Sequence, residues 1–306
     1  MRLLTRSDFD GLACAVLLVE QGIVDEYKFV HPKDVQDGKV AATENDVLAN
    51  IPYIPGCGLW FDHHASEADR LGLDQLNFVG DSRPAPSAAQ VIWDYYGGDA
   101  HFGGHLLPML DAVNRSDSGN LTREEILKPE GWILLSFIMD PRTGLGRFRD
   151  YRISNYQLME DMIQYCRKMT VDEILELPDV AERTRRYLEQ EDAFEKMLKN
   201  SCETRGNVIV TNLLDVETVH SGNRFLVYAL FPDQNIELRI MWGKDRQNVV
   251  FTCGHSILNR TSRTDVGKLM LAYGGGGHER VGTCQVPVDE WERVMEALIV
   301  QMQQDG

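Results

Sequence analysis

Asp62-His63-His64 stands directly after the apolar run Gly58-Leu59-Trp60-Phe61. A carboxylate and two imidazoles at the end of a short buried strand suit hard or borderline divalent cations such as Mn²⁺. Near the start of the chain, Arg2-Leu3-Leu4-Thr5 leads into Arg6-Ser7-Asp8-Phe9-Asp10-Gly11, a second strand that ends in carboxylates. Far downstream lies Gly274-Gly275-Gly276-Gly277-His278. The three patches together point to metal-dependent hydrolysis of a phosphate ester.

Each patch also has a plainer reading. Asp8-x-Asp10-Gly11 describes a solvated turn with an aspartate capping a helix equally well in isolation. At a strand-to-helix turn, however, both carboxylates reach one metal, and Gly11 relieves the backbone. The glycine run reads alone as a hinge or as backbone N–H groups approaching a phosphate, with His278 assisting. Arg260 suits bidentate phosphate binding, and with Arg263 it reads equally as a solvated loop.

The elements that must position these residues alternate in the first third of the chain. Strands are expected at 3–5, 27–31 and 59–61, with a weak element at Val47-Leu48 and helices at 12–21 and 87–96. Such alternation implies a mostly parallel sheet flanked by helices, with ligands at the carboxyl ends of its strands. Residues 103–200 read as helical, with Ser154-x-x-Gln157 and Thr170-x-x-Glu173 matching capping boxes and 180–200 forming a charged connector. A boundary is read at 202–206. Beyond it, strands at 207–211, 225–231, 236–242, 249–253 and 281–286, and helices at 265–273 and 289–303, make a smaller α/β domain. The fold class is therefore α/β, with domains 1–200 and 201–306.

Hydrophobic residues make up 43% of the 306 and charged residues 25%, as expected of a soluble globular protein. No apolar run is long enough to span a membrane, and a secretory signal is not expected in MRLLTRSDFDG. The six scattered cysteines form no CxxC pair and fit a reducing cytoplasm. The net charge of −16 argues against gripping a long nucleic acid, which requires a basic stripe. Residues 201–306 carry ten Lys/Arg against thirteen Asp/Glu, so most of the acidity lies earlier and a small anion held locally is favoured.

The order Asp8-Phe9-Asp10-Gly11, Asp62-His63-His64, Gly274 to His278 resembles the DHH phosphoesterase superfamily with a C-terminal DHHA1 domain. Across the whole chain it looks most like the stand-alone enzymes that degrade very short RNAs or dinucleotides. The resemblance implies Asp8, Asp10 and His63 as metal ligands, Asp62 orienting the histidines and His64 near the reacting phosphate. It also implies a bridging aspartate, for which Asp46 is the choice, and a last ligand at Asp117, with Asp111 as the alternative. For the second domain it implies substrate contacts from His255, Asn259, Arg260, Gly276, Gly277 and His278. Related sequences often place a metal-binding histidine where this chain has Arg6, which has no lone pair to offer; Arg6 is then expected to offset charge and touch substrate. The implied cofactor is one or two Mn²⁺, with Mg²⁺ as the alternative ion. The implied reaction is hydrolysis of a dinucleotide or short oligonucleotide such as pGpG or pApA in the cytoplasm, with a homodimer left open. Rival readings are a cyclic dinucleotide phosphodiesterase, a polyphosphatase or pyrophosphatase, and a non-hydrolytic nucleotide-binding module.

Overall fold

Five short strands, β1 (Arg2–Arg6), β2 (Glu26–Val30), β3 (Asp46–Ala49), β4 (Leu59–Asp62) and β5 (Gly80–Ser82), pair in parallel in the order β2-β1-β3-β4-β5. Leu3, Leu4 and Thr5 of β1 and all four residues of β3 are buried, which explains why these strands read as continuous runs rather than alternations. Helix α1 (Phe9–Glu20) follows β1 and is buried from Phe9 through Leu18, as its nearly unbroken apolar sequence requires. From β1 the chain passes to β2 on one side and returns to β3 on the other. The strand order therefore reverses between β1 and β3, and a crevice opens at their carboxyl ends.

The computed structural model describes residues 1–64 and 77–306. They divide into one unit of Met1–Asn120 with Pro129–Leu188 and a second of Leu121–Lys128 with Glu189–Gly306. The longer helices between β5 and residue 170 are α2 (Ala88–Tyr95), α3 (Leu107–Asp117), α4 (Gly131–Met139) and α5 (Asn155–Lys168), all in the first unit. Ser87 caps α2 and Ser154 caps α5, each through its hydroxyl. The Thr170–Glu173 pair forms a reciprocal capping box. Helix α6 (Pro178–Ser201) contains the point of division between Leu188 and Glu189.

The second unit is built on a mixed sheet in the order β10-β11-β9-β8-β7-β6: β6 (Cys202–Arg205), β7 (Val208–Asn212), β8 (Ile236–Trp242), β9 (Val249–His255), β10 (Gly276–His278) and β11 (Val281–Val286). Only β7 and β8 pair in parallel among these described strands. Gly282, Cys284 and Val286 of β11 point inward at alternate positions. Cys284 and Val286 join Val210, Leu238 and Phe251, with Met270 of helix α8 (Val266–Leu271) and Leu298 of α9 (Trp291–Asp305), in one apolar cluster. One expectation needs correction. Residues 225–231 form a short helix, α7 (Leu226–Leu230), instead of a strand, because a brief apolar run has no period to separate the two. Within the stretch 202–206 read as a boundary, Cys202–Arg205 forms the edge strand β6, which was not expected because its sequence is polar and half-exposed. Among the described residues no helix is long and apolar enough to cross a membrane.

Candidate metal centre

Asp8 stands between β1 and α1 and caps the helix, its Oδ1 accepting from the Gly11 N–H at 2.9 Å. The same oxygen accepts from Asn50 Nδ2 at 3.0 Å, and Oδ2 pairs with Arg6 Nε at 2.8 Å. A side chain on Gly11 would run into the Arg6 carbonyl oxygen, so glycine is required by the close approach of α1 to the end of β1. Asp10, in the first turn of α1, accepts from the Ala88 and Ala89 N–H groups at 2.9 Å each, the free donors that open α2.

Asp62 is fully buried at the end of β4. Its Oδ1 bonds His64 Nδ1 at 2.8 Å, whereas Oδ2 has no hydrogen-bond partner. His63 donates from Nδ1 to the Ala85 carbonyl at 3.1 Å, because a carbonyl can only accept. In the neutral ring that fixes the tautomer and leaves the lone pair on Nε2. Nε2 is buried without a hydrogen bond and lies 3.6 Å from Asp10 Oδ2 and 3.4 Å from Asp117 Oδ2. An imidazole lone pair facing two carboxylate oxygens is unfavourable unless a cation or a proton lies among them. Asp10, His63 and Asp117 each offer one donor atom within 4.8 Å of the others, so the residues fit a hard or borderline divalent ion.

The electrostatics carry the same message. Burial pushes the Asp10 carboxyl up to about 7, opposed by His63 and reinforced by Asp117 and Asp8. Burial also raises Asp8, with Arg6 working against it. Burial opposes charge on His64, yet its bond to Asp62, helped by Asp117 and Asp10, pushes it up to about 9. Without a cation, then, Asp8 and Asp10 resist ionisation.

The structure brings Arg6, Asp8, Asp10, Asp62, His63, His64 and Asp117 to one end of the sheet. Asp117 ends α3 beside His63, while Asp111 is largely exposed and pairs with Arg115 at 3.7 Å. Asp46 is the correction. The parallel register sets it opposite Arg2, at the amino end of β3, where it pairs with Arg2 Nε at 2.7 Å and Thr43 Oγ1 at 2.9 Å. The residue that β3 delivers to the crevice is Asn50, just past its carboxyl end, with φ at +56°. Its place immediately after an apolar run was the available signal. Asn50 lacks a carboxylate, so it holds Asp8 rather than adding charge.

In the second unit the glycine run is a turn followed by an edge strand, with no helix after it. Side chains at Gly275 and Gly277 would meet the Thr283 and Val281 carbonyl oxygens, so those glycines serve the packing of β10 on β11. Gly276 has open space around it. His255 joins this end of the sheet, its N–H donating to the Arg280 carbonyl at 2.9 Å. Burial lowers the His255 pKa, and Nε2 bonds the Thr264 carbonyl at 2.8 Å. Asn259 donates from Nδ2 to the Asp233 carbonyl in the segment before β8 and accepts from Thr261 Oγ1 in its own loop, and Arg260 Nε donates to the Ile257 carbonyl at 3.0 Å.

Comparison with solved structures adds relatives to this geometry. A pGpG-specific phosphodiesterase, PggH, from Vibrio cholerae is 47% identical, with a TM-score of 0.86, covering 100% of this chain and 99% of that one. An exopolyphosphatase-related protein from Bacteroides fragilis is 12% identical over 99% of this chain and 92% of its own, with a TM-score of 0.53. RecJ from Thermus thermophilus, in complex with Mn²⁺, is 11% identical over 99% of this chain and 52% of its own, with a TM-score of 0.52. The last two share the fold. No family model matches the chain, and no curated protein matches it.

Proposed function

The chain belongs to the DHH/DHHA1 phosphoesterase superfamily, and from that premise we propose that it hydrolyses pGpG-type dinucleotides to mononucleotides with a divalent cation, Mn²⁺ before Mg²⁺. The observation that carries the substrate is the 47% identity to a pGpG-specific phosphodiesterase over the whole chain. Asp10, His63 and Asp117 would hold the ion, with the unpartnered Asp62 Oδ2 at the same strand end. When bound, it supplies Lewis-acid polarisation of a phosphoryl oxygen and a more acidic water. With Arg6 where relatives often place histidine and Asn50 at the end of β3, the donor set favours one tight ion over two.

The chain's own groups do the rest. Asp62 orients His64 through the 2.8 Å bond and favours its proton, so His64 carries a proton at neutral pH. That imidazolium protonates the departing oxygen of the scissile phosphate. The Ala85 carbonyl keeps the His63 lone pair directed at the carboxylates. In the second unit, read as the DHHA1 substrate-binding domain, the open backbone at Gly276 with Gly277, His278, His255 and Arg260 would take the substrate's terminal phosphate. Asn259 would shape that loop. The net charge of −16 supports a short substrate over a long one. The six cysteines, all free, fit a reducing cytoplasm.

The test is Mn²⁺-stimulated hydrolysis across pGpG, pApA, cyclic dinucleotides, polyphosphate and length-graded oligonucleotides. Turnover should be greatest on the dinucleotides and fall steeply beyond a few nucleotides. Undiminished activity on a 20-mer, or a preference for polyphosphate, would refute the substrate assignment.

A further inference from the structure

After the buried helix α4, Asp140 caps a single turn of 3-10 helix, Pro141–Thr143. Its Oδ1 accepts from both the backbone N–H and the Nε of Arg142, each at 2.8 Å, and Oδ2 lies 3.1 Å from the same Nε. Thr143 Oγ1 donates to the Phe137 carbonyl at 2.6 Å and closes the turn against α4. The stem of Arg142 is thus fixed on a rigid base. Its two terminal nitrogens meet no hydrogen-bond partner among the described residues, and the side chain is 47% exposed.

This turn lies beside the metal centre. Ser7, between Arg6 and Asp8, shares a cavity of about 110 Å³ with Asp140 and Pro141. Burial works against the charge of Arg142, and the carboxylates of Asp140, Asp8 and Asp117 together outweigh it. A fully charged, planar guanidinium with free outer nitrogens thus lies within the field of Asp8 and of Asp117. It cannot serve as a ligand to a cation, since it has no lone pair. Its fork does match two oxygens of a phosphate.

We propose that Arg142, held by Asp140 through Nε, grips the non-bridging oxygens of the scissile phosphate with its terminal nitrogens. The inference rests on the phosphodiesterase reading above. It assigns ground-state and transition-state charge stabilisation to a protein group that needs no metal to be in place.

Wild type, Arg142→Ala and Arg142→Lys would be compared for pGpG affinity in EDTA, Mn²⁺ affinity, thermal midpoint and steady-state kinetics. In EDTA the alanine variant should bind pGpG roughly 10- to 100-fold more weakly. Its kcat/KM should fall by at least as much, with Mn²⁺ affinity unchanged or raised because a nearby positive charge is gone. Lysine should recover part of the binding, as a point charge without the fork, and added guanidinium ion should partly restore turnover of the alanine variant. Unchanged pGpG affinity and kcat/KM would overturn the proposal. So would a joint drop in thermal midpoint and Mn²⁺ affinity with pGpG affinity intact, which would make Arg142 only a counter-charge. If wild type hydrolyses no dinucleotide with Mn²⁺ or Mg²⁺, the phosphodiesterase reading fails, while binding of pGpG in EDTA still decides the role of Arg142.

Discussion

The lone pair of His63 Nε2, 3.4 and 3.6 Å from two carboxylate oxygens, makes this side chain costly in the fold unless a cation joins it. Removing the imidazole relieves that cost and removes the ligand together. His63→Ala should therefore keep its circular dichroism spectrum and lose Mn²⁺-stimulated hydrolysis by more than the roughly 10–100-fold that outer partners cost. Near-normal turnover would sink the centre. Arg6 acts in the opposite direction, because its Nε occupies Asp8 Oδ2 at 2.8 Å. Arg6→His frees that oxygen, adds a nitrogen donor and deletes a fixed charge, so calorimetric titration should show tighter Mn²⁺ binding or a second site. Wild type already holding two tight ions per chain would contradict this account of Arg6. At this scale much of the centre was legible, because Asp62-His63-His64 directly follows an apolar run, and Asp8 and Asp10 stand together just beyond the strand that holds Leu3-Leu4. Asp46 misled because a carboxylate before a strand looks like one after it until the register to Arg2 is known. Arg142 was not legible as a site residue, and Asn50 offered only its place after an apolar run. Neither lies in a motif, and only the winding of β1, β3 and α4 brings them near Asp8.

At the scale of elements, the same principle separates the glycines of β10. Gly275 and Gly277 face carbonyl oxygens of β11, so an added methyl must push the hairpin apart, at a cost of about 1–3 kcal/mol for overpacking. Gly276 faces open space. Gly277→Ala should thus lower the thermal midpoint, while Gly276→Ala should leave it near wild type and raise KM for a dinucleotide bearing a terminal phosphate. If Gly276→Ala changes neither quantity, the backbone of β10 does not read that phosphate. From sequence the run looked like one device, because glycine spacing does not reveal which backbone approaches which neighbour. Helices with explicit caps, such as those begun by Ser154 and Thr170, were readable because the cap is itself a local hydrogen bond. Leu226–Leu230 and β6 carry no such mark: the first is a brief apolar run without a period, and the second is a polar strand defined only by its hairpin pairing with β7.

For the molecule as a whole, the buried carboxyls tie stability to pH and metal together. Asp10 is pushed up to about 7 and Asp8 is raised, both by burial, so between the ordinary carboxyl range and neutrality the folded chain binds more protons than the unfolded one. Stability then falls as pH rises through that window. The remaining charge of an acidic chain contributes a slope of the same sign, and a comparison with and without metal cancels it. A divalent ion must displace the proton from Asp10 to bind, so its affinity rises with pH across the same window. Because a ligand of the folded state stabilises by its concentration relative to its dissociation constant, the Mn²⁺-induced rise in thermal midpoint should grow from about pH 5 to about pH 8. It should level off above the raised carboxyl value. Asp117→Asn removes one of the charges that keep Asp10 protonated and also one metal donor, so it should shrink the Mn²⁺ effect at every pH while softening the fall in EDTA. A metal-induced shift that stays flat between pH 5 and 8 would show that the buried acids are already ionised without a cation, and the centre would then need another source of compensating charge.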